Sequence, residues 1–154
     1  MASLSIPSPI GNLVLDEAED TIVAIRWADD RASNGSPLLA EAARQLDAYF
    51  AGKLADFDLP LRPAGSAFER QVWAQMQTIP YGKTRSYGEL AEAIGSAPRA
   101  VGGACGKNPI PIVIPCHRVL SKTGMGGYSG AGGLKTKETL LALEGALSRE
   151  PMLV

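Results

Sequence analysis

Two short phrases constrain this chain more than any other feature: Ser66-Ala67-Phe68-Glu69 and Ser86-Tyr87-Gly88-Glu89. In each, the serine hydroxyl can accept from the backbone N–H three residues on, and the glutamate can reach back to the serine N–H. Each phrase therefore fixes the first turn of a helix. After the first, Phe68, Val72, Trp73, Met76 and Ile79 recur at helical spacing, and the phrase IPYGK breaks the pattern. After the second come Leu90, Ala91 and Ile94, and Gly95 supplies a stop. Pro98 suits the first turn of a third helix, with Arg99 close behind. A short helix, a tight turn and another short helix match helix-turn-helix spacing.

The third helix contains Ala100, Gly102, Gly103 and Ala104, so one side is almost bare of side chains. Two glycines inside a helix cost about 1 kcal/mol each relative to alanine. Two readings offset that cost: close approach of the backbone to another surface, or close helix–helix packing.

The N-terminal half has a different rhythm. Within residues 4–28, GNLVL and TIVAIRWA read as strands of an antiparallel meander, separated by the acidic turn DEAED. Ser36 and Pro37 then open a helix with Leu38, Leu39, Ala42, Leu46, Tyr49 and Phe50 as its apolar stripe, ending at Gly52. LADFDLPLRPAG reads as a linker. Residues 110–114 read as a strand stopped by Pro115. The stretch 124–133, with six glycines around Tyr128, reads as a flexible loop over a site or as a plain connector. A last amphipathic helix presents Leu140, Leu141, Leu143 and Leu147. The expected fold class is α+β: a small N-terminal antiparallel β-sheet with a helix, over residues 1–62, and a mostly helical C-terminal domain over 66–154 containing the helix-turn-helix.

Charge divides along the same line. Residues 1–65 carry net −5 and residues 66–154 net +4. A basic half fits an anionic partner, and it fits solvated surface equally well. No apolar run is long enough to suggest a membrane span, and the N-terminus lacks the pattern of a signal peptide, so a soluble, cytoplasmic protein is expected. Two cysteines and one histidine fall short of a disulfide framework or a zinc site, so no metal is expected and the thiols should be reduced.

The chemistry concentrates at Cys116-His117-Arg118. A thiol becomes a strong nucleophile as thiolate, and His117 and Arg118 are the only adjacent groups in sequence able to promote that form. In a turn after Pro115, Cys116 and His117 can share a site, directly or through a water. The pattern alone also fits an inert core cysteine beside an apolar run.

The run NPIPIVIPCHRVL resembles the active-site signature of the O6-alkylguanine-DNA alkyltransferases, the methylated-DNA–protein-cysteine methyltransferases. FERQVWAQMQTIPYGKTRSYGELA, RAVGGA and GGYSGAGGLKTKETLLALEG resemble the same family, in the same order, over roughly residues 66–147. The resemblance implies repair of double-stranded DNA containing O6-alkylguanine by a monomer. The damaged base is flipped out, and the alkyl group moves irreversibly to Cys116 without a cofactor. It implies a relay from Glu144 to His117, through water, to Cys116, with Tyr87 donating to guanine N3 and Asn108 bracing the turn. For the base pocket it implies Val119 (carbonyl to the guanine amino group), Tyr128, Ser129 (backbone N–H to O6), Pro111 and Lys137. For DNA it implies Arg99 as the finger that fills the vacated stack, with Ala100, Gly102 and Gly103 on the helix that enters the minor groove. Lys107, and with it Lys83, Arg85 and Lys122, are candidate phosphate contacts drawn from the basic half.

Pro98 and Cys105 depart from the family pattern: Pro98 could alter the approach of Arg99, and Cys105 is read as packing. Two rival functions share this architecture or these residues: a binder of damaged DNA without transfer, and a Cys-His hydrolase that turns over.

Overall fold

The structure, a computed structural model, describes residues 2–146. Leu147 and the rest of the expected second domain up to residue 154 lie outside the described residues. A four-stranded sheet opens the chain: β1 (Ala2–Ile6), β2 (Leu13–Ala18), β3 (Thr21–Trp27) and the two-residue β4 (Ser33–Asn34), in the order β3-β2-β1-β4. All pairings are antiparallel, as the meander requires. The acidic turn is tighter than expected. Asp16 to Ala18 stay in β2, and only Glu19 and Asp20 turn, both at positive φ. Asp16 is held in the sheet by Ser3 at 2.6 Å and Arg26 at 2.8 Å, which is why it does not leave for solvent.

α1 (Pro37–Phe50) begins as expected, with the Ser36 hydroxyl accepting from Leu39 N–H, and buries Leu39, Ala42, Leu46 and Tyr49 in the core. The stretch after it is more than a linker. Ile22 N–H donates to Pro60 at 2.8 Å and Arg62 N–H donates to Ile22 at 2.9 Å, so the chain runs along the edge of β3. Leu54, Phe57, Leu59 and Leu61 pack on the core there.

Both capping boxes form. Ser66 and Glu69 open α2 (Ala67–Met76), and Ser86 and Glu89 open α3 (Tyr87–Ile94). Gly95 closes α3 in the left-handed region at φ 68°, where glycine has no Cβ penalty. α4 (Pro98–Cys105) follows, completing the helix-turn-helix. The short β5 (Arg85–Ser86) and β6 (Val119–Leu120) pair in parallel and tie α3 to the cysteine turn. α5 (Gly133–Leu143) ends the described chain. Among the described residues, no helix is long and apolar enough to cross a membrane. Apolar side chains of sheet and helices form one continuous core, from Leu13 and Leu15 through Trp73 to Leu140.

The strand expected at residues 110–114 is not there. Pro109, Pro111 and Pro115 lack N–H donors, so a ladder cannot be sustained. The chain winds into a knot of turns instead: Val113 N–H donates to Pro111 at 2.9 Å across Ile112, whose φ is +75°. A β-branched residue in that region costs roughly 1–3 kcal/mol. Asn108 holds the knot from inside, its amide donating to Ile114 at 2.8 Å and its carbonyl accepting from Ile110 N–H at 2.9 Å.

Candidate active site

The knot delivers Cys116, His117 and Arg118 as a single 3-10 turn, all three buried. Cys116 lies in the wall of a cleft of about 440 Å³ with Tyr87, Gly102, Cys105, Tyr128 and Ser129. A second cavity of about 500 Å³ shares Cys116, Tyr128 and Ser129 with the first and is lined also by Asn108, Pro111, and Ile25 and Trp27 of β3. Both volumes are in the range of small-molecule sites.

Behind Cys116 stands a buried polar cluster. His117 Nε2 is 2.7 Å from Glu144 Oε2. Arg118 Nε donates to Glu144 Oε1 at 2.8 Å, and its second terminal nitrogen donates to Oε2 at 3.0 Å. The remaining guanidinium nitrogen donates to the Ile79 carbonyl at 2.6 Å. Tyr49, from α1, donates its hydroxyl to Glu144 Oε2 at 2.5 Å. Burial works to raise the Glu144 carboxyl, but the bonds from His117, Arg118 and Tyr49 outweigh it and hold the pKa at about 2. Glu144 is therefore an anion at neutral pH, and Nε2 of His117 carries the proton between them. Burial pushes the His117 pKa down, against the pull of Glu144, so the ring is neutral. Among the described residues its other nitrogen, Nδ1, has no hydrogen-bond partner, and it is able to accept.

The expected part of Arg118 in activating the thiol is corrected here. Its guanidinium is fully committed to Glu144 and Ile79. Burial pushes the Cys116 thiol up, with the Asn108 side chain and the Lys137 ammonium working in the opposite direction. The resting sulfur is a protonated thiol beside a neutral base, rather than a standing thiolate.

Lys137 is fully buried, a costly place for an ammonium unless it is bonded. It donates to the carbonyls of Val119 and Met125 at 2.6 Å and of Gly127 at 2.9 Å. Those bonds hang the glycine-rich loop over the cleft. Lys137 thus occupies the Val119 carbonyl, which keeps a second lone pair. The loop also needs its glycines where it passes aromatic rings. A Cβ on Gly126 would lie 2.7 Å from Tyr87, and one on Gly130 would lie 2.5 Å from Tyr128 and 2.6 Å from Trp27.

The outer face of α4 decides between the two readings of its glycines. A Cβ on Gly103 would meet nothing within 4 Å, and one on Gly102 would meet only Tyr87, at 4.0 Å. Helix packing does not use this face. Arg99, Ala100 and Gly103 are exposed there. Lys107, beyond the helix, is exposed and 3.6 Å from Glu69, a pairing that solvent leaves weak. Lys83 and Lys122 are exposed and Arg85 is half-buried.

Sequence reasoning missed Tyr49, the structural duty of Arg118 and the presence of Cys105 in the cleft wall. Cys105 packs its sulfur 3.6 Å from that of Met76, and burial raises its pKa to about 12. Tyr49 carried no local signal beyond its place in an apolar stripe.

The chain and its fold are similar to known proteins. The family described as 6-O-methylguanine DNA methyltransferase, DNA binding domain, matches residues 67–146. Its ribonuclease-like domain matches residues 3–63. A methylated-DNA–protein-cysteine methyltransferase of Mycolicibacterium paratuberculosis is 49% identical over 150 residues, covering 91% of this chain and 90% of its own. The constitutive enzyme of that name from Bacillus subtilis is 41% identical over 138 residues, covering 80% of this chain and 84% of its own. The crystal structure of Mycobacterium tuberculosis OGT in complex with DNA superposes with a TM-score of 0.85 at 42% identity, covering 95% of this chain and 94% of that one. Sheet, helix-turn-helix and buried cysteine turn together are the architecture of an alkyl-accepting DNA-repair fold. The chain belongs to the methylated-DNA–protein-cysteine methyltransferase family.

Proposed function

We propose that the protein repairs double-stranded DNA by moving the alkyl group of O6-alkylguanine onto Cys116, once per molecule. The observation that carries this reading is the position of Cys116 in the wall of a base-sized cleft, backed by a neutral imidazole. The carbon–O6 bond breaks as the carbon–sulfur bond forms. The thiol proton passes through water to His117 Nδ1, whose Nε2–H remains held by anionic Glu144. Guanine leaves as an anion at O6 and takes up one proton from water to become the keto base, and His117 gives its extra proton back to water, so the protons balance. Tyr87 donates to its N3 and the Ser129 N–H to O6, so charge is met where it develops. Tyr128 and Pro111 wall the pocket, the Val119 carbonyl reads the guanine amino group, and Lys137 keeps that carbonyl and the loop in place. A thioether does not reverse, and the balance needs no cofactor or metal.

DNA meets the bare face of α4. Arg99 fills the stack left by the flipped base, and Ala100, Gly102 and Gly103 let the backbone into the minor groove. Lys107, Lys83, Arg85 and Lys122 reach phosphates. The division into residues 1–62 and 66–154 separates a supporting domain from the one that binds DNA and accepts the alkyl group. The protein acts as a monomer in the cytoplasm, where its two thiols stay reduced.

Intact mass after incubation with duplex DNA containing O6-methylguanine tests the reading. One methyl per protein, on the Cys116 peptide, is expected. Cys116→Ala should abolish the gain and leave DNA binding intact. Binding without any mass gain would favour a silent damage binder. Turnover with release of free alcohol would make it a hydrolase.

A further inference from the structure

Tyr49 is the single member of the buried cluster that comes from the N-terminal α1, and it is 95 residues from its partner. Its ring is fixed between Phe50 and Phe57, each with centroids at 5.3 Å, and Tyr81 at 6.2 Å. The hydroxyl has no freedom to serve elsewhere, and it spends its one proton on Glu144 Oε2. That oxygen also faces His117 Nε2 and one terminal nitrogen of Arg118. Three donors thus share one carboxylate oxygen.

We propose that the Tyr49 hydroxyl is a positioning group for the base, fixing the Glu144 carboxylate and tempering its pull on the His117 ring. The inference rests on the reading of His117 as proton acceptor. A carboxylate bonded to His117 alone would favour the imidazolium, and an imidazolium cannot take the thiol proton. Each further donor on Oε2 draws off part of that charge and leaves the ring neutral. Tyr49 itself stays protonated, because burial and the Glu144 charge both push its pKa far up. It moves no proton and touches no substrate. The charged and titratable groups around His117 are Glu144 and Lys137 of the α5 segment, Cys116 and Arg118 of its own turn, and Tyr49 of α1. Of these, only Tyr49 ties the N-terminal sheet-and-helix layer to the chemistry by a hydrogen bond to the base's carboxylate.

The chain contains one histidine, so its ring resonances report His117 without assignment. Tyr49→Phe keeps the ring contacts and removes the hydroxyl. It is expected to raise the His117 pKa by roughly 0.5–1 unit, the worth of one hydrogen bond. Single-turnover transfer from free O6-benzylguanine should then stay within about 2-fold of wild type near pH 8 and fall further on the acid side, by at most the roughly 3- to 10-fold that a shift of that size allows. Tyr81→Phe is the control: its hydroxyl donates to the Leu143 carbonyl at 3.4 Å, not to Glu144, and His117 should titrate as in wild type. Equal shifts in both variants, or no shift in Tyr49→Phe, would overturn the proposal. So would a rate loss of the same factor near pH 8 and on the acid side. Independently of any variant, the wild-type protein should show a slowly exchanging, downfield hydroxyl proton in Overhauser contact with the His117 ring. Its absence in folded protein would place Tyr49 off the carboxylate. Failure of the parent reading is distinct: there, wild type itself would transfer nothing.

Discussion

The cysteine turn and the glycine-rich loop border the same cleft and are held by opposite means. At residues 116–118 every charged side chain is buried, and Glu144 alone gathers His117, Arg118 and Tyr49. The loop over residues 124–132 packs chiefly through Tyr128, which meets Trp27 edge-on. The Lys137 ammonium holds it through two carbonyls, Met125 and Gly127, and the Thr136 and Ser121 hydroxyls donate to Ala131 and Gly124. Across the cleft, the outer face of α4 is barer still. The contrast teaches a division of labour. Groups that move the proton are set before any substrate arrives, whereas groups that meet DNA and base are left open or lightly tethered.

Breaking the rigid side should have the largest effect. Glu144→Gln leaves Arg118 buried without its anion, and losing one partner of such a pair costs about 3–5 kcal/mol. The acid side should change with it. The Glu144 carboxyl is held at about 2, below its ordinary 4.5. Its contribution is fully present above pH 4.5 and is lost as pH falls toward 2. Denaturation followed across pH 2–6 should therefore show a shallower acid loss in Glu144→Gln than in wild type.

Cutting the tether should act next. Lys137→Met removes the bonds to Val119, Met125 and Gly127, and limited proteolysis should then cut within residues 125–131 while the helices remain protected. Transfer from duplex DNA and from free O6-benzylguanine should slow together, roughly 10-fold, because the loop serves both substrates. The smallest expected effect lies on the open face. Arg99→Ala should slow repair of duplex DNA several-fold, about 1 kcal/mol out of the few that flipping costs, and leave the free base unaffected. Equal slowing on both substrates would mean that Arg99 has no part in flipping.

The sequence made the local parts of this structure readable. Ser66 with Glu69, Ser86 with Glu89, Ser36 with Pro37, and Gly95 are instructions carried within one helical turn, and each is obeyed. Of the residues the resemblance named, Tyr87, Gly102, Asn108, Pro111, Cys116, Tyr128 and Ser129 line the two cavities, whereas Cys105, Ile25 and Trp27 line them without having been named. Residues 110–114 misled, because a run of isoleucines and valine has strand composition while three prolines silently remove the donors a strand needs. Arg118 misled for another reason: closeness in sequence to Cys116 says nothing of direction, and its partners are Glu144, at the end of α5, and Ile79. Tyr49 was illegible as a member of the cluster because its hydrogen bond joins the two ends of the chain. An apolar stripe on α1 accounts for its ring and leaves its hydroxyl unexplained.

The central claim is that Cys116 rests as a thiol and loses its proton to His117 only as the alkyl group departs. The direct test is the single-turnover transfer rate from O6-benzylguanine between pH 5 and pH 9. With burial holding His117 below its usual pKa and Cys116 above its own, a plateau is expected from about pH 6.5 to pH 8, falling on the acid side. A rate that climbs about 10-fold per pH unit across that window would mean a free thiolate formed without the histidine, and would contradict the account.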